Sequence, residues 1–374
     1  MSTSEWSRPD SSYLDPDRIR IARARRGLTK TELARKLGLT PRTITKYESG
    51  SAPASAAASI AESLDFPVEY FGRGGAPSLE SSEVRFRAAR RATAREREAA
   101  VSAGISGVEI DRWISSRFVL PEVDLPSFAG EDPRMAARLL RGMWGLGTKP
   151  LPNLVQLCES RGVRVYSLPP FADAVDAYSV WRGTYPYVFL ARRKTPERIR
   201  FDLAHELGHL VLHSAESEET TAQEREADAF ASEFLMPAAS ILEYLRQNPS
   251  VDDVIETRSQ FKVSAMALAF AAHRAGRMSE WAYRHCCIEL SQRGFRKDEP
   301  GGMPTYEISR VFTQILDRYR SSSITARTIA NDLHLPISDV HALTFGVELR
   351  TAQETEVLSD SEREVPTERH LRVV

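Results

Sequence analysis

The spacing of apolar residues along the chain predicts mostly helices. The clearest helical pattern lies between residues 196 and 213, where apolar side chains recur every three or four positions. These side chains are Ile199, Leu203, Leu207, Leu210 and Val211. Four ionisable side chains fall off that stripe, namely Asp202, His205, Glu206 and His209. We therefore expect a helix with one face toward a core and a separate face that presents these ionisable side chains.

Other segments predict a small sheet next to this helix and further helices around it. Runs of apolar residues indicate short strands near residues 163–167, 177–181 and 186–191. Residues 83–120 and 305–347 show helical patterns. Together these elements predict an α+β fold that is mostly helical. One edge of the sheet would be available to hold an extended peptide.

The first fifty residues carry their own helix start and stop signals. A first helix is expected to end at Gly27. Thr29 begins the second as its cap, with Glu32 three residues later to complete a capping box. Gly38 gives a tight turn, and the Thr-Pro pair at 40–41 begins a third helix. The core side chains of this unit are Ile19, Ala22, Leu28, Leu33, Ala34, Leu37, Ile44 and Tyr47.

Three helices with a tight turn before the third are typical of helix-turn-helix DNA-binding units. The third helix would point four side chains outward, into a major groove: Arg42, Thr43, Thr45 and Lys46. Arg and Lys reach guanine edges or phosphates, and Thr contacts either. Thr29 and Lys30, at the start of the second helix, complete the predicted DNA contacts.

Charge supports this prediction, and an alternative stays open. Residues 17–48 hold ten Lys or Arg against three acidic residues, whereas the whole chain has a formal net charge of −1. The segment resembles the XRE (Cro/repressor-like) family, which Ala34, Gly38, Ile44 and the run at 47–50 fit. The resemblance implies a double-stranded DNA operator as partner. The alternative is a small helical domain used for protein contact or dimerisation.

The apolar helix near residue 200 contains the motif H-E-x-x-H. His205 and His209 lie four residues apart, one helical turn above each other on one face. Two imidazoles in that position can bind one metal ion, and Glu206 is placed beside a metal-bound water. The motif therefore predicts a metal site with Glu206 as its catalytic carboxylate.

A second helix, downstream of the motif, offers the third ligand that such a metal needs. Glu224 and Asp228 lie four residues apart there, an arrangement in which Glu binds the metal and Asp orients a ligand His. Glu226 is the alternative, but we favour Glu224 because it stacks with Asp228. His213 lies two turns from His205, roughly 12 Å along the axis. We expect it beside the site, or without a role, rather than as a ligand.

This region resembles the ImmA/IrrE family of metallo-endopeptidases over roughly residues 130–300. The likeness extends along residues 145–147, 150–154, 159–165, 176–179, 185–190 and 261–268. It implies a gluzincin-like protease that acts on repressors, with His205, His209 and Glu224 as metal ligands. The ligand types favour Zn²⁺, although Mn²⁺ or Co²⁺ fits the same set. Asp228 stands where family members often have Asn.

Length and composition permit several domains and set the expected compartment. The chain has 374 residues, 42% of them hydrophobic, and three cysteines that offer no disulfide framework. We find no apolar run long enough for a bilayer and no signal peptide, so we expect a cytoplasmic protein without a membrane partner. The expected divisions are a helix-turn-helix domain (1–75), a hinge and linker helix (76–125), a metallopeptidase domain (126–300), a helical C-terminal subdomain (301–350) and a disordered tail (351–374).

These features predict a homodimeric DNA-binding regulator that also cleaves a repressor-type protein as a zinc metallo-endopeptidase. One alternative is a transcription factor whose metallopeptidase fold senses a ligand or a metal and cleaves little. Another is an antitoxin-like regulator of a toxin–antitoxin pair. Glu206 favours the protease, because a pure sensor does not need a catalytic base.

Overall fold

The computed structural model describes residues 13–75, 85–86, 92–172, 175–214, 220–316, 324–347 and 372–373. Most of the predicted tail at 351–374 and of the predicted hinge therefore lies outside the described residues. The described part contains sixteen α-helices and a small sheet. The predicted class, α+β and mostly helical, is confirmed.

The N-terminal domain begins with four helices, which are α1 (Pro16–Arg25), α2 (Lys30–Leu37), α3 (Pro41–Lys46) and α4 (Ala57–Leu64). Thr29 and Glu32 form the predicted capping box at the start of α2. Gly38 ends this helix with φ of +66°, a left-handed conformation that glycine adopts without steric cost. Thr40 caps α3. After α3 the chain continues into a π-helical turn, Tyr47–Ser51.

A mixed four-stranded sheet follows the N-terminal domain. The elements that build and flank it are β1 (Arg85–Phe86), α5 (Ala94–Ser115), β2 (Phe118–Val119), α6 (Pro133–Met143), α7 (Leu154–Ser160), β3 (Arg164–Ser167), β4 (Ala177–Arg182) and β5 (Tyr185–Leu190). The strand order is β1-β4-β5-β3. β3 and β5 are parallel, and the other two pairs are antiparallel. The three predicted strands correspond to β3, β4 and β5.

Helices cover the sheet and complete the chain. They are α8 (Pro196–Leu212), α9 (Thr221–Leu235), α10 (Ala238–Tyr244), α11 (Val251–Phe261), α12 (Ala265–Arg274), α13 (Glu280–Gln292), α14 (Arg310–Leu316), α15 (Ala326–Leu333) and α16 (Ile337–Leu343). A final strand, β6 (Arg372–Val373), pairs antiparallel with β2. The expected helical C-terminal subdomain corresponds to α14, α15 and α16.

α8 is buried on more than one face. Its apolar stripe is buried, but so are Asp202, His205, Glu206 and His209 on the other faces. The helix is enclosed because β4, β5, α6, α7 and α9 all pack around it. The expected chemical face therefore points into a second interface, against α9, and not toward solvent.

The expected linker helix is a core element. α5 is buried almost continuously from Ala99 to Ile114, because α1 packs on it from one side and α15 and α16 pack on it as well. Arg18 of α1 and Glu109 of α5 form an ion pair of 2.7 Å in which both side chains are buried. The N-terminal domain is thus docked on α5, the helix that was expected to serve as a linker.

Candidate metal centre and DNA-binding surface

The site is built where α8 and α9 cross at close range. Gly208 of α8 permits this approach, since a methyl group on it would lie 3.0 Å from Cδ1 of Phe230 and 3.3 Å from Cα of Ala227. Phe230 has little room to move because it is fully buried and stacks on Phe234. The absence of a side chain at residue 208 therefore sets how near α9, which carries Glu224, comes to the two histidines.

Three side chains converge between these helices. Nε2 of His205 lies 3.0 Å from Nε2 of His209. Glu224 places one carboxylate oxygen 3.0 Å from Nε2 of His209 and the other 3.5 Å from Nε2 of His205. Ligand atoms of all three residues lie within 4.8 Å of one another.

The separations suit a single metal ion. Zinc binds imidazole nitrogen and carboxylate oxygen at about 2.0–2.2 Å, so two tetrahedral ligands are roughly 3.3 Å apart. The observed distances of 3.0–3.5 Å bracket that value. Two imidazoles and one carboxylate form the ligand set of a catalytic site, which keeps one position open for water. The residues present therefore fit the metal that the motif implies.

Hydrogen bonds behind the two histidines hold the correct nitrogen toward this point. Nδ1 of His205 lies 2.8 Å from the carboxylate of Asp228. Nδ1 of His209 lies 3.0 Å from Nδ1 of His213, whose Nε2 lies 2.9 Å from Glu226. A carboxylate only accepts hydrogen bonds, so each chain places a proton on Nδ1 of the inner histidine and leaves its Nε2 lone pair for a metal.

This arrangement separates the alternatives that the sequence left open. Glu224 faces the two histidines, whereas Glu226 pairs with His213 at the periphery. His213 itself contacts His209 from behind, on the side away from Glu224. The geometry thus favours Glu224 over Glu226 as third ligand and gives His213 an orienting position that sequence reasoning left undefined.

Burial and charge set the protonation of the convergent groups. Burial lowers the pKa of His209 to about 4, so the imidazole is neutral at physiological pH. Burial acts to raise the pKa of Glu224, but the close contacts of its carboxylate with His205 and His209 outweigh burial and hold that pKa well below its usual range. Neutral imidazoles and an ionised carboxylate are the forms that bind metal.

Glu206 directly follows His205 on α8, and its side chain is bound to the sheet. Its carboxylate accepts a hydrogen bond of 2.6 Å from the hydroxyl of Ser179 on β4. The Glu206 side chain is completely buried. Sequence reasoning identified Glu206 but missed Ser179, because this contact joins residues 27 positions apart and depends on how β4 packs on α8.

The candidate DNA-reading residues lie on one exposed helix. Arg42, Thr45 and Lys46 are exposed on α3, and Thr43 is half-buried. The Thr43 hydroxyl is 2.9 Å from that of Thr40, and the Thr45 hydroxyl donates to the carbonyl of Pro41. Arg42 and Lys46 are therefore the side chains on this face best placed to reach a groove.

The two predicted contacts on α2 have structural roles of their own. Thr29 exchanges hydrogen bonds with Glu32 in the helix cap. Lys30 forms an ion pair of 3.2 Å with Glu48. A DNA phosphate would have to compete with Glu48 for the ammonium group of Lys30.

The basic segment at 17–48 is less available to nucleic acid than its composition suggests. Arg18, Arg23 and Arg25 are all buried. They pair with Glu109, Glu48 and Asp339, respectively. Much of the positive charge on α1 thus holds the domain together and attaches it to α5 and α16, and most of the accessible positive charge lies on α2 and α3.

Two family models match the chain in the regions just described. Residues 19–71 match the helix-turn-helix family. Residues 158–273 match the IrrE N-terminal-like domain, a peptidase family. This protein joins an XRE-type helix-turn-helix domain to an IrrE-like metallopeptidase domain. The predicted fusion is thereby confirmed. A comparison with curated proteins found no match to the chain.

The matched ranges contain both candidate sites. The convergent His205, His209 and Glu224 fall within the IrrE-like domain, which implies a metal ion there. The exposed face of α3 falls within the helix-turn-helix domain, which supports DNA binding. Across the part of the chain that the structure describes, no helix is long and apolar enough to cross a membrane.

Proposed function

We propose that this protein is a DNA-binding regulator whose IrrE-like domain is a zinc-dependent endopeptidase acting on a repressor-type protein. The observation that carries the proposal is the convergence of His205, His209 and Glu224, with Glu206 next to His205 on the same helix. A helix-turn-helix domain in the same chain supports a role in transcription. The proposed compartment is the cytoplasm, where the DNA operator and a repressor would both be found.

The chain's own residues supply the acid–base chemistry of this proposal. A divalent ion held by His205, His209 and Glu224 would polarise the scissile carbonyl and lower the pKa of the attacking water. Glu206 takes a proton from that water and delivers it to the leaving amide nitrogen. Ser179 donates to the Glu206 carboxylate and so fixes its orientation. Asp228 and His213 hold the two imidazoles in place.

DNA binding is proposed for a homodimer, with α3 of each copy in the major groove. Helix-turn-helix dimers bind two half-sites about one helical turn apart, which gives a palindromic operator. Arg42 and Lys46 would make the main contacts from α3. Affinity should fall steeply with salt, because each phosphate contact releases counterions.

A second candidate function is a metal or ligand sensor that cleaves little. The observation that favours it is the docking of the two domains. Arg25 of α1 and the next residue, Arg26, both pair with Asp339 of α16, at 3.0 Å and 3.1 Å. α16 in turn packs on β3 of the IrrE-like domain. A change in the IrrE-like domain could therefore reach the DNA-binding domain through packed elements. Full regulation by a protein that carries Glu206→Gln would favour the sensor over the protease.

Metal analysis of purified variants tests the site on which both candidates depend. Wild-type protein should hold about one divalent ion per chain, and His205→Ala or Glu224→Ala should lose it, because two ligands enclose the ion poorly. Glu243→Ala is the control, since it removes an exposed carboxylate on α10 that belongs neither to the three ligands nor to the hydrogen bonds behind them. Full occupancy in His205→Ala and Glu224→Ala would refute the site.

A further inference from the structure

The edge of the sheet beside Glu206 carries a short strand that comes from between the two domains. β1 pairs antiparallel with β4, so that Arg85 lies opposite Ser179 and Phe86 lies opposite Tyr178. In the strand order β1-β4-β5-β3, β4 would form the edge if β1 were absent. A two-residue strand from upstream of α5 thus covers the backbone of β4.

This pairing takes place at the candidate catalytic centre. Ser179, the partner of Arg85, donates a hydrogen bond of 2.6 Å to Glu206. Any extended chain that pairs with β4 at this register therefore passes the catalytic carboxylate. Strand addition uses backbone N–H and C=O groups, which every extended peptide offers. The backbone of β1 occupies the course that such a peptide would follow.

We propose that the chain's own strand at residues 85–86 occupies the edge of β4 along which a peptide substrate would pair, and that it competes with the substrate for this edge. This inference rests on the proposed function and adds a competing segment within the same chain. A substrate must present an extended segment that pairs antiparallel with β4. It must also displace the resident strand before its peptide bond reaches Glu206.

Competition between the two strands limits substrate binding. A segment tethered in the same chain acts at an effective concentration on the order of millimolar, which exceeds that of most regulatory proteins. The apparent affinity for a substrate is therefore the intrinsic affinity multiplied by the fraction of chains in which the edge is open. The complete burial of Glu206 agrees with an occupied site. Release of the strand would raise peptide affinity without any change in the metal ligands.

Disulfide formation tests the resident strand directly. Antiparallel partners have Cα atoms about 4.5–5.5 Å apart, within the range that a disulfide spans. Arg85→Cys with Ser179→Cys should therefore cross-link quickly under mild oxidation. The matched control is Arg85→Cys with Ser167→Cys, on the far edge of the sheet at roughly 14 Å, or three strand spacings. Equal cross-linking of the two pairs would overturn the proposal.

Peptide binding tests the subsite. The probe is a fluorescent peptide with the sequence of residues 81–91, and every protein carries Glu206→Gln so that nothing is cut. Arg85→Pro with Phe86→Pro prevents the resident strand from pairing, because proline lacks the N–H and resists strand geometry. Arg85→Thr with Phe86→Val is the matched control, since both new residues favour strands.

The proline variant should bind the peptide at least about tenfold more tightly than the Thr-Val control. Equal affinities would show that the resident strand does not compete, and failure of the proline variant to bind the peptide would show that β4 is not the subsite. Either result overturns the proposal. The assay measures binding alone, so a failure of proteolysis in other experiments would refute the proposed function and leave this result standing.

Discussion

Nδ1 of His205 lies 2.8 Å from Oδ1 of Asp228, on the side of the ring away from Glu224. The carboxylate is 55% exposed, so solvent has access to the group that orients a buried ligand. Partners of metal-bound histidines fix both the tautomer and the ring orientation, and their loss costs about 10–100-fold in metal affinity. This contact therefore gives the first prediction.

Asp228→Ala should lower the affinity for zinc by about 10–100-fold, while the protein stays folded. Asp228→Asn should keep most of the affinity, because the amide oxygen still accepts the hydrogen bond from Nδ1 of His205. Competition with a zinc chelator measures the dissociation constant for zinc of each variant. An alanine variant with wild-type affinity would show that Asp228 does not support the site.

The close approach of α8 and α9 gives a prediction about Gly208, a residue with no side chain and no catalytic or ligand role. Gly208→Ala should weaken zinc binding by about tenfold, because the methyl group presses on Phe230 and moves Glu224 away from the histidines. Gly142→Ala, on α6, is the control, since its methyl group would meet nothing within 4 Å. That substitution should stabilise the protein by up to about 1 kcal/mol.

Calorimetric unfolding and chelator titration of both glycine variants provide the comparison. The account requires the loss of metal affinity to be confined to the Gly208 variant. Equal metal affinity in the two variants would mean that helix spacing at Gly208 does not control the position of Glu224.

The α3 surface predicts how the protein reads DNA. Arg42→Ala should cost about 1–3 kcal/mol in operator binding, and sequence preference should relax if the guanidinium contacts a base. Arg112→Ala is the control, because it removes the same charge from an exposed position on α5. Fluorescence anisotropy with operator and scrambled duplexes measures both the loss of operator affinity and the change in sequence preference. Equal losses for Arg42→Ala and Arg112→Ala would move the reading surface away from α3.

The sequence predicted those parts of the site that depend on local spacing. H-E-x-x-H fixes His205 and His209 on one turn, and the Thr29–Glu32 capping box is complete within four residues. The same rule of spacing made Glu224 preferable to Glu226, and the structure places Glu224 beside the histidines.

The remaining features depend on packing between distant segments. The contact of Ser179 with Glu206 needs the sheet to dock on α8, and the crossing at Gly208 needs α9. The basic pattern on α1 suggested a DNA surface, yet Arg25 is buried against Asp339, 314 residues away. Periodicity records which residues share a helix face, but it does not record what that face will contact.

The central claim is that Glu206 acts as a base on a peptide substrate. Glu206→Gln keeps the metal ligands and removes the base, so it separates catalysis from metal binding. The most direct measurement compares new protein N-termini by mass spectrometry in cells that carry wild type or Glu206→Gln. The account predicts a cleaved regulatory protein in the wild type that is absent from the variant, with equal metal content in both proteins. The same cleavage products in both strains would contradict it.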